Sequence, residues 1–177
     1  MQLEGSCHCG AVRFSLKSRT PYPYMRCYCT ICRKTAGTGG YAINLMGEAS
    51  SFRITGEKNV TVYRAPASEA RNDFEQVLSP CQRHFCRVCG SALWISDPRW
   101  PALLHPFASA IDTPLPKPPE REHIMLESKA PWIEVPSSEY DRQFSEYPDD
   151  SIEEWHQRRS LNAVSYTHLT LPPSDLV

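Results

Sequence analysis

Seven of the eight cysteines in this chain fall into three tight clusters: Cys7-His8-Cys9, Cys27-Tyr28-Cys29-Thr30-Ile31-Cys32 and Cys86-Arg87-Val88-Cys89-Gly90. Thiolates one or two residues apart can share one metal ion, because C-x-C and C-x-x-C place two sulfurs on the same side of a strand end or knuckle turn. A structural zinc takes four such ligands, whereas a catalytic zinc keeps one position open. Two doublets and a triplet therefore divide as four plus three, a closed site and an open one. Any fold adopted by the chain must bring distant segments together to build them.

A disulfide framework is the competing use of an even number of cysteines, and it belongs to small secreted domains. Met1-Gln2-Leu3-Glu4-Gly5 has neither the basic start nor the apolar core of a secretory leader, so a cytoplasmic setting with free thiols is expected. No apolar run approaches the roughly 20 residues that span a bilayer, and no membrane association is expected. The near-balance of 19 basic and 20 acidic residues argues against a broad nucleic-acid surface. Arg26, Arg33, Lys34, Arg83 and Arg87 flank the clusters and can offset the charge of metal-bound thiolates.

The periodicity is that of strands. Val12, Phe14 and Leu16 alternate with Arg13, Ser15 and Lys17, the two-residue repeat of a half-buried strand. Further short runs are expected as strands at Tyr41 to Met46, Val60 to Tyr63, Ala92 to Ile95 and His123 to Glu127. Glycines and prolines separate them, so the expected class is all-β. Short helical turns are expected at Thr30 to Thr35 and from Ala67 to Phe74. A capped helix is expected from Ser151 to about Arg159. Most of the 16 prolines lie beyond residue 95, which points to extended proline-rich segments wrapping the core. The polar, turn-rich stretch from Tyr140 onward reads as peripheral to the chemistry. Residues 164–177, with Val164-Ser165-Tyr166-Thr167-His168-Leu169-Thr170-Leu171-Pro172, resemble translated sequencing-adapter sequence and are expected to lie outside the fold.

Taken together, Gly5-Ser6-Cys7-His8-Cys9-Gly10, Arg26-Cys27-Tyr28-Cys29-Thr30-Ile31-Cys32-Arg33-Lys34 and Arg83-His84-Phe85-Cys86-Arg87-Val88-Cys89-Gly90-Ser91 resemble the glutathione-dependent formaldehyde-activating enzyme family, which shares its domain with centromere protein V. The similarity continues through Ile111-Asp112 and from His123 to Trp132. It implies an Mss4-like, zinc-binding β-domain over residues 3–135, followed by a polar extension over 136–163. In that pattern Cys7, Cys9, Cys86 and Cys89 hold a structural zinc, and Cys27, Cys29 and Cys32 hold a catalytic one. Two doublets far apart in sequence can pin the ends of a β-domain, and glycine at position 90 suits a knuckle that needs positive φ. The implied reaction is the addition of glutathione, or a related thiol, to formaldehyde to give S-hydroxymethylglutathione, a carbon-sulfur lyase chemistry. Arg33, Lys34 and the Gly37 to Gly40 loop are candidates for the glutathione carboxylates.

His8 lies between two ligands, and an extended segment turns its side chain away from them. His84 reads as a supporting or surface group. Cys81 departs from the family pattern, either as a leftover thiol or as a fourth ligand closing the second site. The alternative function, a zinc-stabilised binding module without turnover, stays open on the sequence alone, as does related chemistry on another thiol or aldehyde.

Overall fold

The computed structural model describes residues 1–67 and 77–161. The strands in chain order are β1 (Gln2–Ser6), β2 (Arg13–Lys17), β3 (Tyr24–Cys27), β4 (Ala42–Asn44), β5 (Gly47–Glu48) and β6 (Arg53–Thr55), then β7 (Val60–Pro66), β8 (Leu78–Cys86), β9 (Ala92–Ser96), β10 (Leu103–Pro106), β11 (Arg121–Ile124) and β12 (Asp141–Gln143). Two short helices join them, α1 (Thr30–Ala36) and α2 (Ile152–Arg158). The class is all-β, as the alternating pattern requires. The helix expected from Ala67 to Phe74 falls almost wholly outside the described residues, as does the whole of 164–177.

The strands form three sheets, ordered β1-β2-β6, β5-β10-β9-β8-β7 and β12-β11-β3-β4. Val12, just before β2, and Phe14 and Leu16 within it are buried as their alternation predicts, and they meet Leu93, Trp94 and Leu104 of the second sheet in one apolar core. Phe14 sets its ring edge-on to Trp94 at 5.2 Å, a geometry aromatic pairs favour. Lone bridges from Gly5 to Ile111 and from Asn44 to Phe107 tie segments outside these ladders to the sheets. At Gly5 a Cβ would lie 2.5 Å from the Ala110 carbonyl oxygen, so the close approach of the chains there demands glycine.

The third sheet departs from the sequence reading. The strand expected from His123 to Glu127 instead occupies Arg121–Ile124, because Met125 turns left-handed at φ 62° and a 3-10 turn follows. β11 runs parallel to both β3 and β12. Glu122, His123 and Ile124 are all buried, so the strand shows no in-out alternation. Parallel strands covered on both faces lack that repeat in general. The run from Tyr41 to Met46 yields only the three residues of β4, whereas Val60 to Tyr63 extends to Pro66. Pro114 to Pro118 form no regular strand; the Tyr22 and Tyr24 hydroxyls hold them by donating to the carbonyls of Lys117 and Pro116 at 3.1 and 2.8 Å.

The stretch from Tyr140 onward, read as peripheral to the chemistry, packs into the fold. β12 adds an outer strand beside β11, and the N–H groups of Met125, Leu126 and Glu127 donate to the carbonyls of Glu146, Phe144 and Ser145. Farther on, Ser151 and Glu154 form the reciprocal capping box expected of that sequence. The helix it starts buries Trp155, whose indole N–H reaches Glu120 Oε1 at 3.3 Å.

Candidate metal centre

The ends of β1 and β8 carry the two outer doublets. At the first, the Gly10 N–H donates to the Cys7 carbonyl at 2.9 Å, and Gly10 takes φ 73°. At the second, the Gly90 N–H donates to the Cys86 carbonyl at 2.8 Å, and Gly90 takes φ 76°. These are two knuckle turns of different length, three residues and four, each closed by the positive φ that only glycine adopts without strain. They meet so that the sulfurs of Cys7, Cys9, Cys86 and Cys89 all lie within 4.8 Å of one another. The Cys7–Cys9 and Cys9–Cys86 sulfur distances are 3.5 and 3.8 Å. A tetrahedral ion bound to thiolate at about 2.3 Å needs sulfur–sulfur edges of about 3.8 Å, so the four side chains fit one. The Ser91 hydroxyl lies 3.2 Å from Cys89 Sγ, and its hydrogen bond is the main cause that lowers this thiol to about 5.

Cys27, Cys29 and Cys32 form the second set, also within 4.8 Å of one another. The local fold explains why. Cys27 ends β3, Cys29 is the N-cap of α1, and its sulfur accepts the Cys32 N–H at 3.3 Å. One strand-to-helix transition thus gathers all three thiols with Cys27 and Cys32 buried. As bare thiols they cannot all ionise. Hydrogen bonds from Cys27 and then Cys32 hold Cys29 down at about 2. The bond with Cys29 pushes Cys27 far above the usual thiol range, and Cys32 rises to about 11 despite a lowering contribution from Cys27. Three thiolates so close need a cation among them.

Tyr28, between two of these thiols, turns the other way and is fully buried. Its hydroxyl lies 2.8 Å from His123 Nδ1, and His123 Nε2 lies 2.8 Å from Asp141 Oδ1. Burial alone would raise Asp141, but hydrogen bonds from His123, Ser138 and Arg121 outweigh it and hold the carboxyl well below its ordinary range. Burial lowers His123. The consistent tautomer is a neutral imidazole that donates from Nε2 to Asp141 and accepts the Tyr28 proton at Nδ1. Sequence reading missed this chain. The tyrosine enclosed in the C-x-C of the triplet was its one local sign.

The remaining candidates separate clearly. Cys81 packs beside the triplet but lies outside its set of mutually close sulfurs. The fourth-ligand reading therefore finds no support, and all eight cysteines are free thiols. His8 is exposed and is not grouped with the four sulfurs. His84 stacks on Trp94 at 4.8 Å and shares a 3.0 Å hydrogen bond with Ser96, while burial lowers it to about 4. Arg33 and Lys34 sit in the last turn of α1, with Lys34 exposed and Arg33 half-buried. Tyr147 is exposed as a residue, but its phenol lies near the triplet, where partial desolvation and then the charges of Cys27, Cys29 and Cys32 raise it. Arg83 on β8 is buried.

The fold and site together define a small all-β protein with two separate cysteine sets, each able to hold a metal ion. The model of the family described as glutathione-dependent formaldehyde-activating enzyme matches residues 2–128, a span that contains both sets. A Halomonas elongata protein, named provisionally as a glutathione-dependent formaldehyde-activating enzyme, is 58% identical over 161 residues, covering 91% of this chain and 98% of that one. The chain belongs to this family. Among solved structures, a Rhodobacter sphaeroides protein aligns with a TM-score of 0.48 and 24% identity, over 66% of this chain and 92% of that one. No described helix is long and apolar enough to cross a membrane.

Proposed function

We propose that the chain is a zinc-dependent enzyme of carbon-sulfur lyase type that condenses glutathione, or a related thiol, with formaldehyde to S-hydroxymethylglutathione. One observation carries this reading: the chain has a set of four thiols and a separate set of three, with no fourth cysteine, histidine or carboxylate grouped with the three among the described residues. Cys7, Cys9, Cys86 and Cys89 hold a structural ion that locks β1 to β8. Cys27, Cys29 and Cys32 hold the second, leaving a coordination position for an incoming thiol. Zinc bound there supplies stabilisation of thiolate over thiol, and so a nucleophile at neutral pH. The cysteines act as ligands and attack nothing.

The protein's own groups set the geometry. Tyr28 anchors the loop between Cys27 and Cys29 through His123 and Asp141, so the three sulfurs keep their spacing when a substrate arrives. Arg33 and Lys34, on the helix that Cys29 caps, are the proposed partners of the glutathione carboxylates. The domain proper spans residues 3–135, with 136–163 as its extension and 164–177 as adapter-derived sequence. Eight unpaired thiols favour a cytoplasmic setting.

Elemental analysis should find two zinc ions per chain. Cys86→Ser should lose fold and metal together, whereas Cys32→Ser should lose mainly the second ion. Magnetisation-transfer NMR on an equilibrium mixture of formaldehyde, glutathione and their adduct should show faster exchange than a protein-free control, and Cys29→Ser should abolish the gain. A protein that holds two zincs yet neither binds glutathione nor alters exchange would be a binding module, and this reading would fall.

A further inference from the structure

Arg83 is only 6% exposed, and its Nε is buried with no hydrogen-bond partner. Arg121 and Arg159 have the carboxylates of Asp141 and Glu120, and Arg26 and Arg33, whose Nε atoms are also buried without a partner, are only half-buried as residues, so Arg83 is the one buried arginine among the described residues. Arg83 makes no such ion pair among the described residues. Its Nη1 instead points at Cys81 Sγ, 3.7 Å away, and the thiols that act on its charge are Cys32, Cys81 and Cys29. A guanidinium cannot shed its proton in a protein, so burial without a carboxylate is costly unless an anion forms nearby. Three thiolates around a divalent ion carry one net negative charge, which balances the cation but does not use its unbonded N–H.

We propose that Arg83 is a catalytic residue of the triplet site, donating to the aldehyde oxygen as negative charge develops there. The inference rests on the thiol-plus-aldehyde reading above and gives that site its electrophile-facing group. In the step, the glutathione sulfur, its proton already released to water, bonds to the carbonyl carbon. The C=O π pair moves onto oxygen, the Arg83 N–H donates a hydrogen bond to that developing alkoxide, and the oxygen then takes a proton from water. The net change is thiol added across C=O, with nothing oxidised or reduced. Tyr147 and Lys34 are poorer candidates because both are largely in water, where a donor is worth little. A buried, fixed donor acts in low dielectric, and removing one costs roughly 10²- to 10³-fold in rate.

The test uses the metal-loaded full chain with Arg83→Met, Arg83→Lys and Arg83→Ala. Arg83→Met should keep two metal ions per chain and hold its glutathione affinity, measured by calorimetry without aldehyde, within about threefold, while exchange falls roughly 10²-fold. Arg83→Lys should retain part of the rate. Millimolar guanidinium should restore exchange in Arg83→Ala but not in Cys29→Ser, which keeps the question answerable should the methionine variant fold poorly. Full exchange in Arg83→Met overturns the proposal, as does a loss of metal or glutathione binding that accounts for the whole rate loss. Absent guanidinium rescue together with a lysine variant as slow as methionine also counts against it. A wild-type protein that holds metal without accelerating exchange removes the parent reading instead, and this one with it.

Discussion

Asp141 gives the sharpest test of how the extension supports the site. Its side chain has no exposed surface, and it accepts from His123 Nε2 at 2.8 Å, Arg121 Nη2 at 2.9 Å, Ser138 Oγ at 2.7 Å and the Ser138 N–H at 3.0 Å. Asp141→Ala strips all four donors of their acceptor. Ser138 is exposed and the Arg121 side chain is 31% exposed, so both regain water. His123 is fully buried and does not. One stranded buried donor costs about 1–3 kcal/mol, and losing the anchor of β12 adds to it, so the expected loss is about 3 kcal/mol, the lower end of the range for a broken buried pair. For a chain of this length that corresponds to a fall in midpoint of roughly 6–12 °C.

Thermal unfolding of the metal-loaded protein measures this, with Asp141→Asn as a shape-preserving partner. The pH dependence has a definite sign. The folded carboxyl lies below its unfolded value, so its contribution is fully present above about pH 4 and is lost as pH falls through the folded pKa. The gap between wild type and Asp141→Asn should therefore be flat from pH 5 to 8 and shrink in stronger acid. A shift below about 1 °C for Asp141→Ala, far short of that range, would refute the reasoning, as would a gap that widens on acidification.

Two further outcomes follow from the same chain. Glu122 is buried, and burial followed by the neighbouring Glu120 charge raises its carboxyl to about 7. Because the folded group holds its proton more tightly, it costs stability as pH rises through the window from about 4.5 to 7, so Glu122→Gln should gain roughly 2–3 kcal/mol at pH 8 and nothing at pH 4, read by urea unfolding at both. Deleting residues 164–177 should leave the melting midpoint and metal content unchanged, and a large fall in midpoint would show that the segment belongs to the fold.

What could be read in the sequence was chemistry that local stereochemistry dictates. Sulfurs two and three residues apart on a knuckle or helix cap can face one ion, so each doublet and the triplet were legible as candidate ligands, as were the glycine in the second knuckle and the serine that caps α2, while the meeting of the two doublets 77 residues apart depends on the fold. The alternation around Phe14 was legible because its strand faces core on one side and water on the other. What escaped is polar burial with distant partners. Tyr28 and His123 are 95 residues apart and His123 and Asp141 are 18 apart, and no periodicity marks a pair that meets only in the folded sheet. β11 hid for the same reason: a parallel strand covered on both faces buries a glutamate and a histidine in succession, which reads as surface until its partners are known. Arg83 shows the limit most clearly, since flanking cations were expected to offset thiolate charge, yet only the fold distinguishes the one sealed against the triplet from Lys34, which faces water. The cysteine spacing is therefore a local property of this chain, while the groups packed around the clusters are set by tertiary pairing. The decisive experiments lie at Arg83 and Asp141, because the cysteines alone would be satisfied by a protein that binds metal and does nothing more.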